Sequence, residues 1–209
     1  MSRGTFVTGT DTDVGKTVAC AYLLRALDAD YWKPVQSGLE GETDSEAVQR
    51  LTGLPPERFH ASAYALRAPL SPHESARRDG VRISLEAFAL PKTPRFLLVE
   101  GAGGVLVPLN ADALMVDLMR RLGLPVILVA RSTLGTINHT LLSLEALRVR
   151  GLKVAGIVMN GPPNEANRRA LEEYGKAEVI AEIPRLEPLD APTLAAFARR
   201  HPLRLKEVA

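Results

Sequence analysis

Nine residues near the start of the chain, Gly9-Thr10-Asp11-Thr12-Asp13-Val14-Gly15-Lys16-Thr17, constrain its fold more than any other stretch. They follow a short β-branched run, Thr5-Phe6-Val7-Thr8, and lead into a segment from Gly15 to about Leu27 with helical spacing. A strand, a glycine-containing loop, Gly-Lys-Thr and a helix form the context that a phosphate-binding loop needs. Backbone N–H groups of such a loop, with the positive end of the helix behind them, attract phosphate oxygens. Asp13, Val14, Gly15, Lys16, Thr17 and Val18 are therefore candidate ATP-binding residues. Lys16 would reach the β- and γ-phosphates, and the Thr17 hydroxyl would coordinate Mg²⁺. The spacing departs from the strict G-x-x-x-x-G-K-[ST] form, because position 10 is Thr and the first glycine lies one residue earlier. An ordinary glycine turn ahead of a helix is the alternative, but it does not require lysine and threonine in this order.

Beyond this loop, short apolar runs alternate with longer segments of helical period, the pattern of a βαβ architecture. Residues 96–99, 126–129 and 156–159 are continuous apolar runs, which suit strands covered on both faces of a parallel sheet. Residues 31–35 read as a second strand with Pro34 at its end or at an edge, and residues 178–181 as a weaker last strand. Residues 113–122, 136–150 and 164–174 carry helical spacing. Residues 52–72, with four prolines, read as a long surface connection. These features predict a doubly wound, mostly parallel α/β sheet flanked by helices, similar to phosphate-loop NTPases, as one domain over residues 1–209. Ligands of such a sheet sit at the C-terminal ends of its strands.

Composition removes several classes of function. With 46% hydrophobic and 24% charged residues, the chain has the makeup of an ordinary globular protein. A formal charge of +2 is too small for bulk nucleic-acid or membrane-surface binding. Cys20 is the single cysteine, which rules out an internal disulfide and a zinc ribbon, and it reads as a small apolar residue of the first helix. His60, His73, His139 and His201 show no metal-binding spacing. No signal peptide and no run long enough to span a membrane is visible, so a cytoplasmic location is expected.

The phosphate loop resembles the one-residue-longer loop of dethiobiotin synthetases. Four further stretches stand in that family's order: Lys33-Pro34-Val35-Gln36-Ser37-Gly38, Glu100-Gly101-Ala102-Gly103-Gly104, Leu134-Gly135-Thr136-Ile137-Asn138-His139 and Ile183-Pro184. Ser71-Pro72-His73 also resembles a family segment. Gln36, where a small residue is commoner, and Arg185, where an aromatic often follows Ile-Pro, depart from the pattern. The resemblance implies an ATP- and Mg²⁺-dependent homodimer with shared active sites. Such an enzyme closes the ureido ring of dethiobiotin from 7,8-diaminononanoate and CO₂, with no nucleic acid or membrane as partner.

That chemistry needs a carbamate, its phosphorylation to a carbamic–phosphoric anhydride, and attack by the second amine. Phosphoryl transfer asks for positioning and charge neutralisation rather than covalent help. The resemblance makes Lys33 and Lys16 the catalytic lysines, and Thr12, Ser37, Thr136 and Asn138 the substrate contacts. Thr136 and Asn138 would reach the substrate's carboxylate from the other subunit. Thr17, Asp44 and Glu100 are the expected Mg²⁺ ligands, Glu100 because it is an acid ending a buried strand, where an unpartnered charge would be costly. Asp44 also stands where a helix N-cap would. Gly101, Ala102 and Gly103 complete the nucleotide site beside Glu100. Asn160, Gly161, Ile183, Pro184, Arg185 and Glu187 are the expected adenine contacts, an Asn amide being able both to donate to and to accept from a base edge. Other readings are an amide-forming ligase of the same fold group and a nucleotide-switched ATPase of the ParA/MinD type. The second normally carries an extra lysine near the start of the loop, where this chain has Thr10-Asp11-Thr12-Asp13.

Overall fold

The computed structural model describes residues 4–203 and 205. Nine strands and seven α-helices alternate along them: β1 (Gly4–Gly9), α1 (Lys16–Leu27), β2 (Asp30–Trp32), β3 (Val35–Ser37), α2 (Asp44–Thr52), β4 (Phe59–His60), β5 (Tyr64–Leu66) and α3 (Pro72–Arg78). The second half adds β6 (Leu97–Gly104), α4 (Met115–Leu122), β7 (Val126–Arg131), α5 (Thr136–Val149), β8 (Val154–Asn160), α6 (Glu165–Gly175), β9 (Val179–Ile183) and α7 (Ala191–Arg200). Seven strands form one parallel sheet in the order β4-β2-β6-β1-β7-β8-β9, and β3 pairs with β5 in a separate parallel ladder. The expected doubly wound α/β sheet is present.

Side-chain alternation along each strand divides the core in two. Phe6, Trp32, Leu97, Val99, Leu128 and Met159 face the layer that includes α4, α5 and α6. Their sequence neighbours Val7, Tyr31, Leu98, Val129 and Val158 face α1, α2 and α7. Both faces are apolar, which explains why the strands read as continuous hydrophobic runs. The chain leaves β1 in one direction to build β2 and β6, and in the other to build β7, β8 and β9. A crevice therefore opens beside the C-terminal end of β1.

Several expected boundaries need correction. Residues 31–35 are not one strand. β2 stops at Trp32, and β3 begins at Val35 in the other ladder. Pro34 between them cannot donate to a ladder, and its carbonyl instead accepts from the N–H groups of Ala63 and Tyr64. Residues 52–72 are not a plain surface connection, because they carry β4 at the edge of the main sheet and β5. Glu100 does not end its strand, since β6 runs on to Gly104. The helices α3 and α7 had no counterpart in the sequence reading.

What fixes the β4 edge is a buried guanidinium. Arg58 Nε lies 2.5 Å from Asp30 Oδ1, and Arg58 Nη2 donates to the Ala29 carbonyl at 2.7 Å and to Asp28 Oδ1 at 2.9 Å. Thr93 and Arg95 also serve Asp30. Arg58→Met should cost roughly 3 kcal/mol in urea unfolding, the low end for breaking a buried pair, because Asp30 keeps those two other partners. Adding Asp30→Asn should restore part of that loss. A loss below about 1 kcal/mol for the single variant would show that the pair does not hold the edge.

Candidate active site

The crevice is a cleft of about 860 Å³. Thr12, Asp13 and Gly15 line it from the loop after β1, Lys16, Thr17 and Val18 from the first turn of α1, Lys33 and Ser37 from the β2–β3 region, and Asp44 from the start of α2. Glu100, Ala102 and Gly103 reach it from β6, and Pro69, Leu70, Ser71, Pro72 and Val107 close it.

The loop conformation is set by two left-handed residues. Asp13 has φ 54° and Gly15 has φ 88°. Asp13 adopts a conformation that a non-glycine residue resists, and such positions cluster at functional sites. At Gly15 even a Cβ would overlap the Asn160 side-chain amide, so only glycine fits. Asn160 Nδ2 donates to the Val14 carbonyl at 3.2 Å, which ties the end of β8 to the loop. Lys16 is largely buried and donates to the Asp11 carbonyl at 3.0 Å. Burial lowers the pKa of its ammonium, with Glu100 pulling it up and Lys33 pushing it down. Outside the loop, Arg131 lies 3.2 Å from the Asp11 carboxylate.

The centre of the site is a buried cation between two carboxylates. Lys33 Nζ donates to Glu100 Oε1 at 2.9 Å and sits 3.0 Å from Asp44 Oδ2. Lys33 is 3% exposed and Glu100 1%, so neither can be served by bulk water. Burial by itself would lower the Lys33 pKa, but the Glu100 charge and then Asp44 outweigh it and hold the ammonium above its usual range. Burial would likewise raise Asp44, and the Lys33 charge reverses the sign, so its carboxyl lies below its usual range. Asp44 is free for this because the capping belongs to Thr43. The Thr43 hydroxyl accepts from the Glu46 N–H, and the Glu46 carboxylate accepts from the Thr43 N–H. Asp44 Oδ1 accepts from the Thr17 hydroxyl at 3.0 Å, and Gln36 Nε2 lies 3.4 Å from Asp44 Oδ2. On the other side of the cluster the Tyr31 hydroxyl donates to Glu100 Oε2 at 2.8 Å. Burial and the Glu100 charge push the Tyr31 phenol well above its usual range, so it remains a donor.

Not every expected site residue joins the cleft. Val14 is buried in the α1-side core, and Gly101 lies against Phe6 and Met115. Asn160 and Ile183 are neighbours at the ends of β8 and β9, with the Gly161 N–H donating to the Ile183 carbonyl at 2.9 Å. Pro184 follows them, and Arg185 pairs with Glu187 at 2.7 Å on exposed surface. Thr136 is buried at the start of α5, 3.4 Å from the Thr140 hydroxyl, and Asn138 is exposed. Neither lines the cleft of its own chain. Tyr31 and Gln36 were not among the expected site residues. Gln36 was visible only as a departure from a pattern, and Tyr31 gave no signal apart from its place next to a strand end.

A family model for an AAA domain matches residues 3–193. The chain is 57% identical over 196 residues to the ATP-dependent dethiobiotin synthetase BioD of Paramagnetospirillum magneticum, covering 94% of this chain and 93% of that one. It is 52% identical over 199 residues to BioD of Rhodopseudomonas palustris, covering 95% and 94%. Against the biotin biosynthesis bifunctional protein BioCD of Bordetella avium the identity is 54% over 201 residues, but the chain spans only 43% of that protein's length. Among solved structures, the cell division ATPase MinD of Pyrococcus furiosus matches with a TM-score of 0.60 at 15% identity, over 95% of this chain and 98% of that one. A ParA family ATPase from Chlorobium tepidum gives 0.58 at 12%, over 95% and 99%. At such identities the structural matches establish the phosphate-loop NTPase-like fold alone.

The buried Lys33–Glu100 pair makes a stability prediction independent of any activity. Lys33→Met should lose on the order of 3–5 kcal/mol at neutral pH, because Glu100 is left as an uncompensated buried charge. Lys33→Met with Glu100→Gln should be much closer to the parent, and the double-mutant cycle gives the coupling. Additive losses in urea melts would show that the two groups do not depend on each other.

Proposed function

The chain belongs to the family of ATP-dependent dethiobiotin synthetases, and on that premise we propose that its cleft closes the ureido ring of dethiobiotin from 7,8-diaminononanoate, CO₂ and ATP. The observation that carries this reading is the Lys33 ammonium, buried between Glu100 and Asp44 within the same cleft as the phosphate loop. In this reading the chain is one ATP-binding domain.

The chemistry runs in three balanced steps. An unprotonated amine of the substrate adds to CO₂ and loses a proton, which gives a carbamate. A carbamate oxygen attacks the γ-phosphorus of ATP, the bond to the β–γ bridging oxygen breaks, and ADP leaves. The second amine attacks the anhydride carbon, expels phosphate and loses a proton as the ring closes. The Lys16 ammonium and the loop N–H groups hold the β- and γ-phosphates. Lys33 holds carbamate and γ-phosphate oxygens near one another, where negative charge develops. Ser37 lines the cleft, and its buried hydroxyl, which has no partner among the described residues, would bind the substrate beside Thr12. At and just beyond the ends of β8 and β9, Asn160, Gly161, Ile183, Pro184, Arg185 and Glu187 would hold the adenine.

Thr17, Asp44 and Glu100 offer hard oxygen donors within one cluster, a set that fits Mg²⁺. When bound there, the ion would neutralise charge on the β- and γ-phosphates. Asp44 and Glu100 share the Lys33 ammonium, and Thr17 joins them through its hydrogen bond to Asp44, so the ligands would be held by one network.

A homodimer with shared sites suits two features of the surface. Thr136 and Asn138 stand outside the cleft of their own chain, as residues that serve a second subunit would. The α5 face and its approach also expose Leu134, Leu142 and Val149, and Leu106 is exposed on the connection after β6. An apolar face of this kind is what a subunit contact covers. The same reading places the enzyme in the cytoplasm, with its ATP supply. No helix among the described residues is long and apolar enough to cross a membrane.

The test is ADP formation that requires both 7,8-diaminononanoate and CO₂. Lys33→Gln, which keeps a donor beside the buried Glu100, should lower turnover by on the order of 10²–10³ while leaving most ATP affinity intact. Lys16→Ala should lose turnover and ATP affinity together. ATP hydrolysis indifferent to the diamine but stimulated by DNA or lipid would replace this reading with a switch ATPase.

A further inference from the structure

One buried polar side chain at the site has no task in the reaction as written. Tyr31 is fully buried in β2, and its hydroxyl donates to Glu100 Oε2 at 2.8 Å while Lys33 donates to Oε1 of the same carboxylate at 2.9 Å. The two donors take one oxygen each, and both come from the same strand and its end. Tyr31 itself has little freedom. Its backbone pairs with Leu98 in β6 and Phe59 in β4, and its ring packs on Phe59 with centroids 5.7 Å apart and planes at 55°. The phenol therefore sets the carboxylate, rather than following it.

Removing the hydroxyl would strip Oε2 of a hydrogen-bond donor on a carboxylate that is itself buried, and an orphaned buried acceptor is costly. The carboxylate would then turn toward its strongest remaining donor, Lys33, the Cys20 thiol beside it being only a weak one, and draw the ammonium away from its shared position with Asp44. We propose that Tyr31 is a positioning residue: it holds the Glu100 carboxylate in the orientation that keeps the Lys33 ammonium in the cleft, and so governs phosphoryl transfer without touching substrate. The inference rests on the reading of Lys33 as a catalytic group.

A control for mere loss of a buried phenol is built into the fold. Tyr22 in α1 is a second buried tyrosine, and its hydroxyl makes a partly buried hydrogen bond to the His201 carbonyl at 2.9 Å, next to Phe197 of α7 and outside the cleft. Full-length Tyr31→Phe and Tyr22→Phe are compared by steady-state kinetics in both substrates, and by calorimetric titration with ATP. Tyr31→Phe should lower kcat by on the order of 10–100-fold, as loss of a supporting hydrogen bond behind a functional group does, with the ATP dissociation constant and both KM values within about twofold of the parent. Tyr22→Phe should keep the parent's kcat. Parental kcat in Tyr31→Phe, alongside an inactive Lys33→Gln, would overturn the positioning role alone. Equal losses in both phenylalanine variants would overturn it as well, by assigning the effect to general destabilisation. Full turnover in Lys33→Gln would overturn the catalytic reading and the inference together.

Discussion

The ion pair between Lys33 and Glu100 is the constraint around which the site is arranged. Taking either charge out of water alone costs several kcal/mol, so each must keep the other in reach. Adjacent parallel strands supply that proximity, because β2 pairs with β6 in the register Tyr31 to Leu98, which brings the residues after Trp32 alongside Glu100. Asp44 adds the second carboxylate from α2, and Thr43 makes that possible by taking over the cap of the helix. Burial pulls the Lys33 ammonium toward neutrality, and the two carboxylates overrule it. Lys33 is thereby a fixed cation at neutral pH, whereas the largest influence on Lys16 is burial, which lowers it.

A buried salt bridge is a weak device for stability, since a well-packed apolar replacement often does as well. Its value here is placement. The phosphate loop after β1 provides N–H groups and leads to one lysine at the start of α1, and Lys33 provides a second cation just after β2 on the other side of the cleft. Phosphoryl transfer in the proposed reaction needs charge held in place on both sides of the moving group, and the sheet order delivers it by putting β6 between β1 and β2. The mobile parts of the chemistry are left to the substrates.

Residues close together in sequence were the ones legible from it. Gly9 to Thr17 showed themselves because strand, loop and helix start are contiguous, and the physical demands on each position are local. The apolar runs of β6, β7 and β8 were legible because both faces of the sheet are covered. The short strands β4 and β5 were not, because two or three residues carry no period, and their pairing comes from distant partners such as Asp30 for Arg58. Pro34 was visible as a mark at a strand end, but its effect of sending β3 to another ladder depends on the Ala63–Tyr64 segment receiving its carbonyl. Lys33 and Asp44 entered through resemblance and Glu100 as an acid in a buried strand, and nothing in their spacing showed that they form one cluster. Tyr31 lies beyond both routes, since its contact with Glu100 spans 69 positions.

The central claim is that Lys33 acts on phosphoryl transfer and not on the addition of CO₂, which an unprotonated amine carries out unaided. The most direct measurement is ¹³C NMR of ¹³CO₂ with 7,8-diaminononanoate on the parent and on Lys33→Gln, first without nucleotide and then with ATP. The account predicts a bound carbamate resonance in both proteins without nucleotide. On adding ATP it predicts rapid conversion to the ring carbonyl in the parent and persistence of the carbamate in the variant. A variant that forms no carbamate, or one that converts it at the parent's rate, would contradict the account.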